Sequence, residues 1–160
     1  MAMDPAVKKK ALRMLTYGLC VATSRDDSGP AAGTINWISQ SSFNPPLVMA
    51  AIKADSGLRR AIATSRVFAV HVVGKSQKEM ATAFFKGAQL SCGMLNGYRV
   101  ETGETGAPLL VDAAAWFECR VVNEVTGGDH IIFVGEVVGV GVRGDEEPLT
   151  LRDTGFSYGG

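Results

Sequence analysis

The chain has 160 residues, 46% of them hydrophobic, and its 16 Lys and Arg balance its 16 Asp and Glu. This length and composition predict one globular domain over residues 1–160, with a core large enough to fold without disulfides or a structural metal. Zero net charge and scattered cations exclude the electrostatic footprint of a nucleic-acid binder. No apolar run approaches the roughly 20 residues that span a bilayer. Residues 1–13 contain four cations and no hydrophobic segment of the kind found in signal peptides, so no signal peptide is expected. We therefore expect a cytoplasmic protein without nucleic-acid or membrane partners.

The cysteines and histidines are few. Cys20, Cys92 and Cys119 form an odd set without CxxC spacing, which predicts reduced thiols rather than disulfides or a zinc site. Cys92 lies in a Gly-rich stretch and is expected to be the most exposed of the three. His71 and His130 have no carboxylates at ligand spacing, so we expect no metal site.

Turn signals and apolar periodicity divide the chain into short elements. Asp4 followed by Pro5 predicts the start of an amphipathic helix, Ser56 can cap a second, and Ser76-Gln77-Lys78-Glu79 has the form of a capping box for a third. Residues 87–97 are predicted to be a loop. Strands are predicted at residues 17–24, 31–43, 47–53, 67–73, 98–102, 114–126 and 130–143, with a short extended piece at 148–152.

About seven strands against three short helices, with hairpins and no regular strand-helix alternation, predict a mainly β protein. The expected architecture is an antiparallel barrel with a few short peripheral helices, rather than a doubly wound parallel sheet. The 19 glycines suit barrel corners, bulges and close approaches of a ligand to the backbone.

Two literal motif matches lack the context that their chemistry needs. Residues 139–144 read GxGxxG, but an acidic stretch and Pro148 follow instead of the helix that would receive a pyrophosphate. Residues 155–159 read GxSxG, but the chain has no room after them for a helix, an acid and a histidine. Neither a Rossmann site nor a serine hydrolase is expected.

Residues 33–46 are the most unusual stretch. A strand that only closes a core would alternate apolar and polar residues, whereas here polar side chains are gathered around a tryptophan. Two interpretations are open: a half-exposed edge strand with solvated hydroxyls, or the wall of a site for a planar, polar cofactor. The residues concerned are Thr34, Asn36, Trp37, Ser39, Gln40, Ser41 and Ser42.

This stretch and four others resemble the flavin reductase-like, FMN-binding split-barrel family in order and spacing, from Leu12 to about Leu149. The form Trp37-Ile38-Ser39-Gln40 is especially similar to the flavin reductase domains of flavodiiron proteins and of rubredoxin-associated relatives. The matching stretches are Trp37-Ile38-Ser39-Gln40 with residues 42–48, then residues 68–73, 107–110, 116–119 and 128–137.

The resemblance implies a homodimeric split barrel of Greek-key type that binds FMN, with FAD as a possible substitute, and uses NADH or NADPH. By the family's pattern, the isoalloxazine ring lies against Asn36, Trp37, Ile38, Ser39 and Gln40. The phosphate maps onto Lys53 and Ser56 at a helix N-terminus, where free amides favour an anion. Asp55 is an unfavourable neighbour for a phosphate and is left out.

Three further side chains are placed by the same resemblance. Phe85 and Lys86, at the end of the third helix, map near the cofactor, with a solvated helix-end lysine as the alternative for Lys86. His130 maps near the nicotinamide and is the candidate catalytic residue, with a histidine bonded to its own turn as the alternative. His71 lies inside an apolar strand and is expected to be structural.

The function implied is that of an NAD(P)H:FMN oxidoreductase, in which hydride passes from the nicotinamide to N5 of FMN and positioning dominates catalysis. The alternative is an FMN-carrying electron-transfer protein. Possible redox partners are a monooxygenase, rubredoxin or a flavodiiron protein. A third interpretation is a split barrel that binds a deazaflavin or haem without turnover.

Overall fold

The computed structural model describes residues 1–160. Its helices are α1 (Pro5–Leu12), α2 (Gly57–Ser65), α3 (Lys78–Ala83) and α4 (Leu151–Thr154). Its strands are β1 (Cys20–Asp26), β2 (Gly29–Ile35), β3 (Ile38–Ser42), β4 (Leu47–Lys53), β5 (Val67–Val72), β6 (Leu90–Ser91), β7 (Met94–Leu95), β8 (Tyr98–Thr102), β9 (Pro108–Leu110), β10 (Ala115–Val125) and β11 (His130–Val142). None of the helices is long and apolar enough to cross a membrane.

The main sheet has seven strands in the order β2-β1-β5-β10-β11-β4-β3, and every pair in it is antiparallel. β2 and β3 therefore lie at opposite edges of the sheet, although only Asn36 and Trp37 separate them in the chain. This arrangement is a barrel that is split between its two edge strands. The predicted class, a mainly β antiparallel split barrel with a few peripheral helices, is confirmed.

The prediction of one strand over residues 31–43 was wrong. β2 pairs with β1 as far as Ile35, opposite Cys20, and β3 then pairs with β4 at the far edge. Asn36 and Trp37 belong to neither ladder, because the chain must cross from one edge of the sheet to the other. The carbonyl of Trp37 still accepts a hydrogen bond from Ala51 N at 2.9 Å.

The long hairpin of β10 and β11 supplies much of the barrel wall and contains two irregularities of register. Gly135 lies where this hairpin passes over the core. A Cβ placed on it would lie 2.6 Å from Cys119 Cβ and 2.7 Å from the Phe68 ring. A larger residue at this position would displace the ring, so glycine permits the close packing of Phe68.

The barrel core is closed by α2, which buries Leu58, Ala61 and Ile62 on one face. A second cluster lies on the other side of β1 and includes Met80 and Phe84 from α3 and its end. The predicted amphipathic helix α1 forms, with Asp4 as its N-cap, but none of its residues is buried. Its apolar side chains therefore do not contribute to the core.

Three local predictions were wrong. Gln77, not Ser76, precedes the first residue of α3, and it makes no side-chain capping bond; Ser76 N instead donates to the Glu146 carboxylate. Residues 148–152 form no strand, because Pro148 and Thr150 make isolated bridges and α4 begins at Leu151. The predicted loop at residues 87–97 contains the two-residue strands β6 and β7.

His71 is fully buried, as expected of a structural residue. Leu110 N–H donates to its Nε2 at 3.0 Å, so the ring proton must lie on Nδ1, which is 2.9 Å from the carbonyl of Val21. Desolvation lowers the pKa of His71 to about 4. The neutral imidazole therefore links β5 to β1 and β9.

Cys92 is exposed, as predicted, whereas Cys20 and Cys119 are buried. Burial raises the pKa of each buried thiol to about 12, which keeps both protonated.

Candidate functional site

Two cavities of about 610 and 450 Å³ adjoin each other where β2 ends. Four residues line both of them: Thr34, Ile35, Lys53 and Phe85. The larger, here called the α2 cavity, extends along β2 to the N-terminus of α2 and to Lys86. The smaller, here called the aromatic cavity, extends to Asn36, His130 and the C-terminal segment, residues 155–160.

The α2 cavity has the chemistry of an anion site at its helix end. Ser56 is the N-cap of α2: its Oγ accepts from Arg59 N at 3.1 Å and donates to the carbonyl of Lys53 at 2.8 Å. Lys53, Arg60 and Lys86 line the same cavity. Because a helix N-terminus carries partial positive charge and free N–H groups, this end favours a phosphate.

Two carboxylates, Asp26 and Asp55, line the same cavity, and the one beside Lys53 opposes this charge. Asp55 lines the α2 cavity and lies 3.7 Å from Lys53 Nζ, and both side chains are largely exposed. An anion bound here would compete with Asp55 for the lysine. This arrangement supports the exclusion of Asp55 from the set of phosphate ligands.

An unpaired donor lies beside the aromatic cavity. Asn36 is one of the residues that line this cavity, and its side-chain amide nitrogen is buried without a hydrogen-bond partner. A buried polar group without a partner carries a desolvation cost, which a ligand with an acceptor would remove. Asn36 is held in this position by the crossing between the two edge strands.

Trp37, His130 and Tyr158 form a ring cluster beside the aromatic cavity. The ring centroids of Trp37 and His130 are 4.5 Å apart, and those of Trp37 and Tyr158 are 5.1 Å apart. The Nε1 atom of Trp37 is also buried without a partner. Trp37 lines neither of these two cavities; together with Ile38 and Ser39 it lines a separate cavity of about 290 Å³.

A hydrogen-bonded chain runs through the same histidine. Asp129 Oδ1 is 2.8 Å from His130 Nδ1, and Tyr158 Oη is 2.7 Å from His130 Nε2. The hydrogen bond from His130 lowers the pKa of Asp129, so this carboxylate is ionised at neutral pH. Burial raises the pKa of Tyr158, so its phenol is neutral there.

The structure brings together six of the residues that the sequence singled out. Ile38, Ser39 and Gln40 lie outside both cavities: they belong to β3, and the side chains of Ser39 and Gln40 are exposed on the far edge of the sheet. Their flavin contacts stay predictions. The residues that line the cavities are Asn36, Lys53, Ser56, Phe85, Lys86 and His130.

Sequence reasoning missed Arg60, Phe156 and Tyr158. Arg60 lies one turn into α2, and its spacing from Ser56 was the only available signal. The C-terminal segment shows no periodicity, and its glycines indicated only a turn-rich end. Phe156 nevertheless packs on Phe85, with ring centroids 5.3 Å apart.

Comparison with known proteins decides the family. The model of the flavin reductase like domain matches residues 12–160. The chain belongs to the flavin reductase-like domain family. This result confirms the resemblance that the sequence motifs carry.

Individual relatives of this flavin reductase-like protein agree. It is 28% identical to a "Probable flavin reductase" of Rhizobium meliloti (strain 1021) over 98% of this chain but only 48% of that protein. It is 29% identical to the reductase component of a 4-nitrophenol 4-monooxygenase/4-nitrocatechol 2-monooxygenase of Rhodococcus opacus, over 85% of this chain and 71% of that one. The chain thus spans about half the length of the first of these relatives.

A solved structure shares the fold over nearly the whole chain. It is the NADH:FAD oxidoreductase SgcE6 of Streptomyces globisporus C-1027, in complex with NAD and FAD fragments. The TM-score is 0.78 at 28% identity, covering 94% of this chain and 91% of that one. The split barrel of this flavin reductase-like protein is therefore the architecture of a flavin-dependent oxidoreductase.

The residues present fit a flavin nucleotide. An anion end with three cations adjoins an aromatic cavity beside which the unpaired amide of Asn36 lies, so a phosphate and a planar ring with acceptor atoms would each meet suitable partners. By contrast, no three His, Cys, Asp or Glu side chains are grouped so that they could hold a metal ion.

Proposed function

We propose that this protein is an NAD(P)H-dependent flavin reductase that binds FMN across the two adjoining cavities. One observation carries the proposal: the cationic end of the α2 cavity opens into an aromatic cavity whose buried Asn36 amide has no partner. Flavin, when bound, supplies the N5 position that accepts hydride from the nicotinamide. The protein's own part is to bind, orient and shield the reactants.

Lys53 and the N-terminus of α2 hold the phosphate in this proposal. Ser56 orients that end, because its hydroxyl links the Lys53 carbonyl to Arg59 N. Arg60 and Lys86 add positive charge to the same cavity. Asn36 donates its free N–H to the polar edge of the ring, and donors at that edge stabilise negative charge on a reduced ring.

Catalysis needs no nucleophile from the protein. Hydride transfer between two bound rings depends on their distance and alignment, which aromatic walls and fixed donors provide. His130, Phe85 and Tyr158 line the ring end of the aromatic cavity. His130 is proposed to position the nicotinamide there.

The test is the visible spectrum of the protein under anaerobic conditions, recorded with added FMN and then with NADH or NADPH. A perturbed flavin band that either nicotinamide bleaches within seconds supports the reductase. Bound flavin that both nicotinamides leave oxidised, but that a protein donor reduces, replaces it with the electron carrier. Absence of FMN and FAD binding rejects both functions. Nothing in the cavities favours the electron carrier at present.

We further propose that the protein is a homodimer. Met49, Ile132, Val134 and Val125 share one outward face of β4, β11 and β10, because paired residues and their second neighbours point to the same side of a sheet. Met49 and Val125 are 40% and 53% exposed, which leaves this apolar face open to a second copy.

Light scattering tests the dimer, since the chain mass is 16.9 kDa. A mass near twice that value is expected, and the double variant Met49→Lys with Val125→Lys should reduce it to the monomer. A monomer for the unaltered protein would reject the proposal.

We also propose that a flavin-dependent monooxygenase consumes the reduced flavin, as the relative named as a monooxygenase reductase component suggests. Coupled oxidation in a mixture of reductase, FMN and a purified monooxygenase of this kind measures that transfer.

A further inference from the structure

His130 has no free nitrogen in this structure. The Asp129 carboxylate can only accept, so Nδ1 of His130 carries the proton in the 2.8 Å bond between them. Nε2 of the same ring shares a 2.7 Å hydrogen bond with the Tyr158 hydroxyl. Both ring nitrogens are therefore occupied by the protein itself, and neither can contact a ligand while Tyr158 stays in place.

The phenol oxygen is the next atom along this chain of bonds. Whichever atom donates in the bond to His130, Oη keeps at least one lone pair as an acceptor. Tyr158 lines the aromatic cavity together with Asn36 and Lys53. His130 lines the cavity as well, but the tyrosine oxygen is the polar atom of this chain that keeps a free acceptor position beside the cavity.

The C-terminal segment is fixed well enough to present this atom. The carbonyl of Gly159 accepts from Arg13 Nε at 3.1 Å, and Lys78 Nζ lies 4.8 Å above the Phe156 ring. Gly155 ends α4 in a left-handed conformation, with φ of 73°, which turns the chain towards the cavity. The segment makes no sheet pairing, so these few contacts determine its position.

We propose that Tyr158 is a ligand-contacting residue whose Oη accepts a hydrogen bond from an amide-type N–H of the molecule in the aromatic cavity. His130 is then a positioning residue that acts through Tyr158. Such an N–H belongs either to the imide of a flavin ring or to the carboxamide of a nicotinamide. The inference rests on the proposed function, and it replaces direct contact by His130 with contact by a residue 28 positions further along the chain.

Charges near the hydroxyl are compatible with an acceptor role. Lys53 lines the same cavity, Asp129 lies on the far side of His130, and Asp55 is farther along the α2 cavity. Burial raises the pKa of Tyr158, which keeps the phenol neutral. A neutral acceptor discriminates by the presence of an N–H donor rather than by charge.

The test removes the hydroxyl and the ligand N–H separately and together. Tyr158→Phe keeps the ring against Trp37 and deletes only the oxygen. Tyr98→Phe is the matched control, because Tyr98 lines neither cavity. One arm compares the Kd of FMN with that of N3-methyl FMN. The other compares the KM of NADH with that of the reduced 3-acetylpyridine analogue, which lacks the amide N–H.

The preference for the N–H-bearing ligand is the ratio of the constant (Kd or KM) of the ligand without the N–H to that of the ligand with it. In one of the two arms, this ratio should be about fivefold larger for the unaltered protein and for Tyr98→Phe than for Tyr158→Phe. A difference of this size corresponds to one neutral hydrogen bond. A reduced preference of Tyr158→Phe in the flavin arm identifies the imide as the donor, and a reduced preference in the nicotinamide arm identifies the carboxamide. Equal preferences in all three proteins, with FMN still bound and reduced, overturn the inference alone. Failure of the unaltered protein to bind FMN overturns it together with the proposed function.

Discussion

His130 is paired directly with Lys53 across the β11 and β4 ladder, so the first residue of one strand lies opposite the last residue of the other. Lys53 lines both cavities and His130 lines the aromatic one. The register of this strand pair therefore sets the distance between Lys53, which is expected at the phosphate, and His130, which is expected at the rings. A slip of one residue in either strand would turn that strand's side chain to the other face of the sheet, so Lys53 and His130 would no longer share a face.

Lys53→Gln is expected to raise the Kd of FMN by about tenfold and to leave the Kd of riboflavin unchanged, because riboflavin lacks the phosphate. The estimate corresponds to loss of one charge-assisted hydrogen bond of about 1.5 kcal/mol. Flavin fluorescence titration measures both constants. Lys75→Gln is the control, since Lys75 pairs with Glu147 outside both cavities. An equal loss for FMN and riboflavin would place Lys53 at the ring instead.

Asp55→Asn should act in the opposite direction. Removal of this carboxylate frees Lys53, which lies 3.7 Å from it, and removes repulsion of the phosphate. The Kd of FMN should fall by about twofold to fivefold at low salt, and the gain should shrink as salt is added, because both groups are exposed. Weaker FMN binding in this variant would mean that Asp55 contacts the ligand directly.

His130→Phe is expected to slow flavin reduction by NADH by about tenfold to a hundredfold. The phenyl ring preserves packing on Trp37 but removes both nitrogens, so Tyr158 loses its partner. Small errors in alignment of reacting rings have effects of this size. Anaerobic stopped-flow absorbance measures the rate, and an unchanged rate constant would exclude His130 from the reaction.

Acid should destabilise the fold through His71. The folded pKa is about 4, below the value of about 6.5 for an unfolded histidine, so the unfolded chain binds more protons between these values. The neutral His71 therefore makes its full contribution to the free energy of unfolding above pH 6.5. This contribution, about 3 kcal/mol in total, is lost as the pH falls towards 4. Urea unfolding at pH 7 and pH 5 measures it. His71→Gln should be less stable at pH 7 and should show a smaller loss between the two pH values; an equal loss would assign the acid sensitivity elsewhere.

Gly135→Ala is expected to lower the free energy of unfolding by about 1 to 3 kcal/mol, because its methyl group would overlap Cys119 and the Phe68 ring. Gly128→Ala is the matched control, since nothing lies within 4 Å of the position its Cβ would take. Thermal unfolding compares the two. Similar losses for both variants would show that backbone freedom, rather than packing, accounts for the glycine at 135.

Strand-forming stretches were the most predictable part of this fold. The predicted strand at residues 47–53 matches β4, and the predicted hairpin at 114–126 and 130–143 matches β10 and β11 within one residue at each end. Apolar side chains and turn residues determine these elements locally. The same local information could not show that residues 31–43 divide between opposite edges of the sheet, because that division depends on partners far along the chain.

The candidate site was predictable only where a motif marks it. Asn36, Lys53 and His130 were found from the family pattern, and all three line the aromatic cavity. Tyr158 lies in a stretch without periodicity, and only its long-range bond to His130 reveals its place. At Ser76 a local motif was misleading. The capping box predicted for this residue does not form, and its backbone N–H donates instead to the carboxylate of Glu146, 70 residues away in the chain.

The two-residue crossing at Asn36 and Trp37 would also couple flavin binding to the stability of the barrel. Because the crossing joins the two edges of the split barrel and Asn36 faces the ligand cavity, a bound flavin would restrain the place where the barrel can open. A ligand at 100 times its Kd adds about 2.7 kcal/mol to the unfolding free energy. A cell short of flavin would therefore hold a larger unfolded fraction of this protein and lose it faster to proteases.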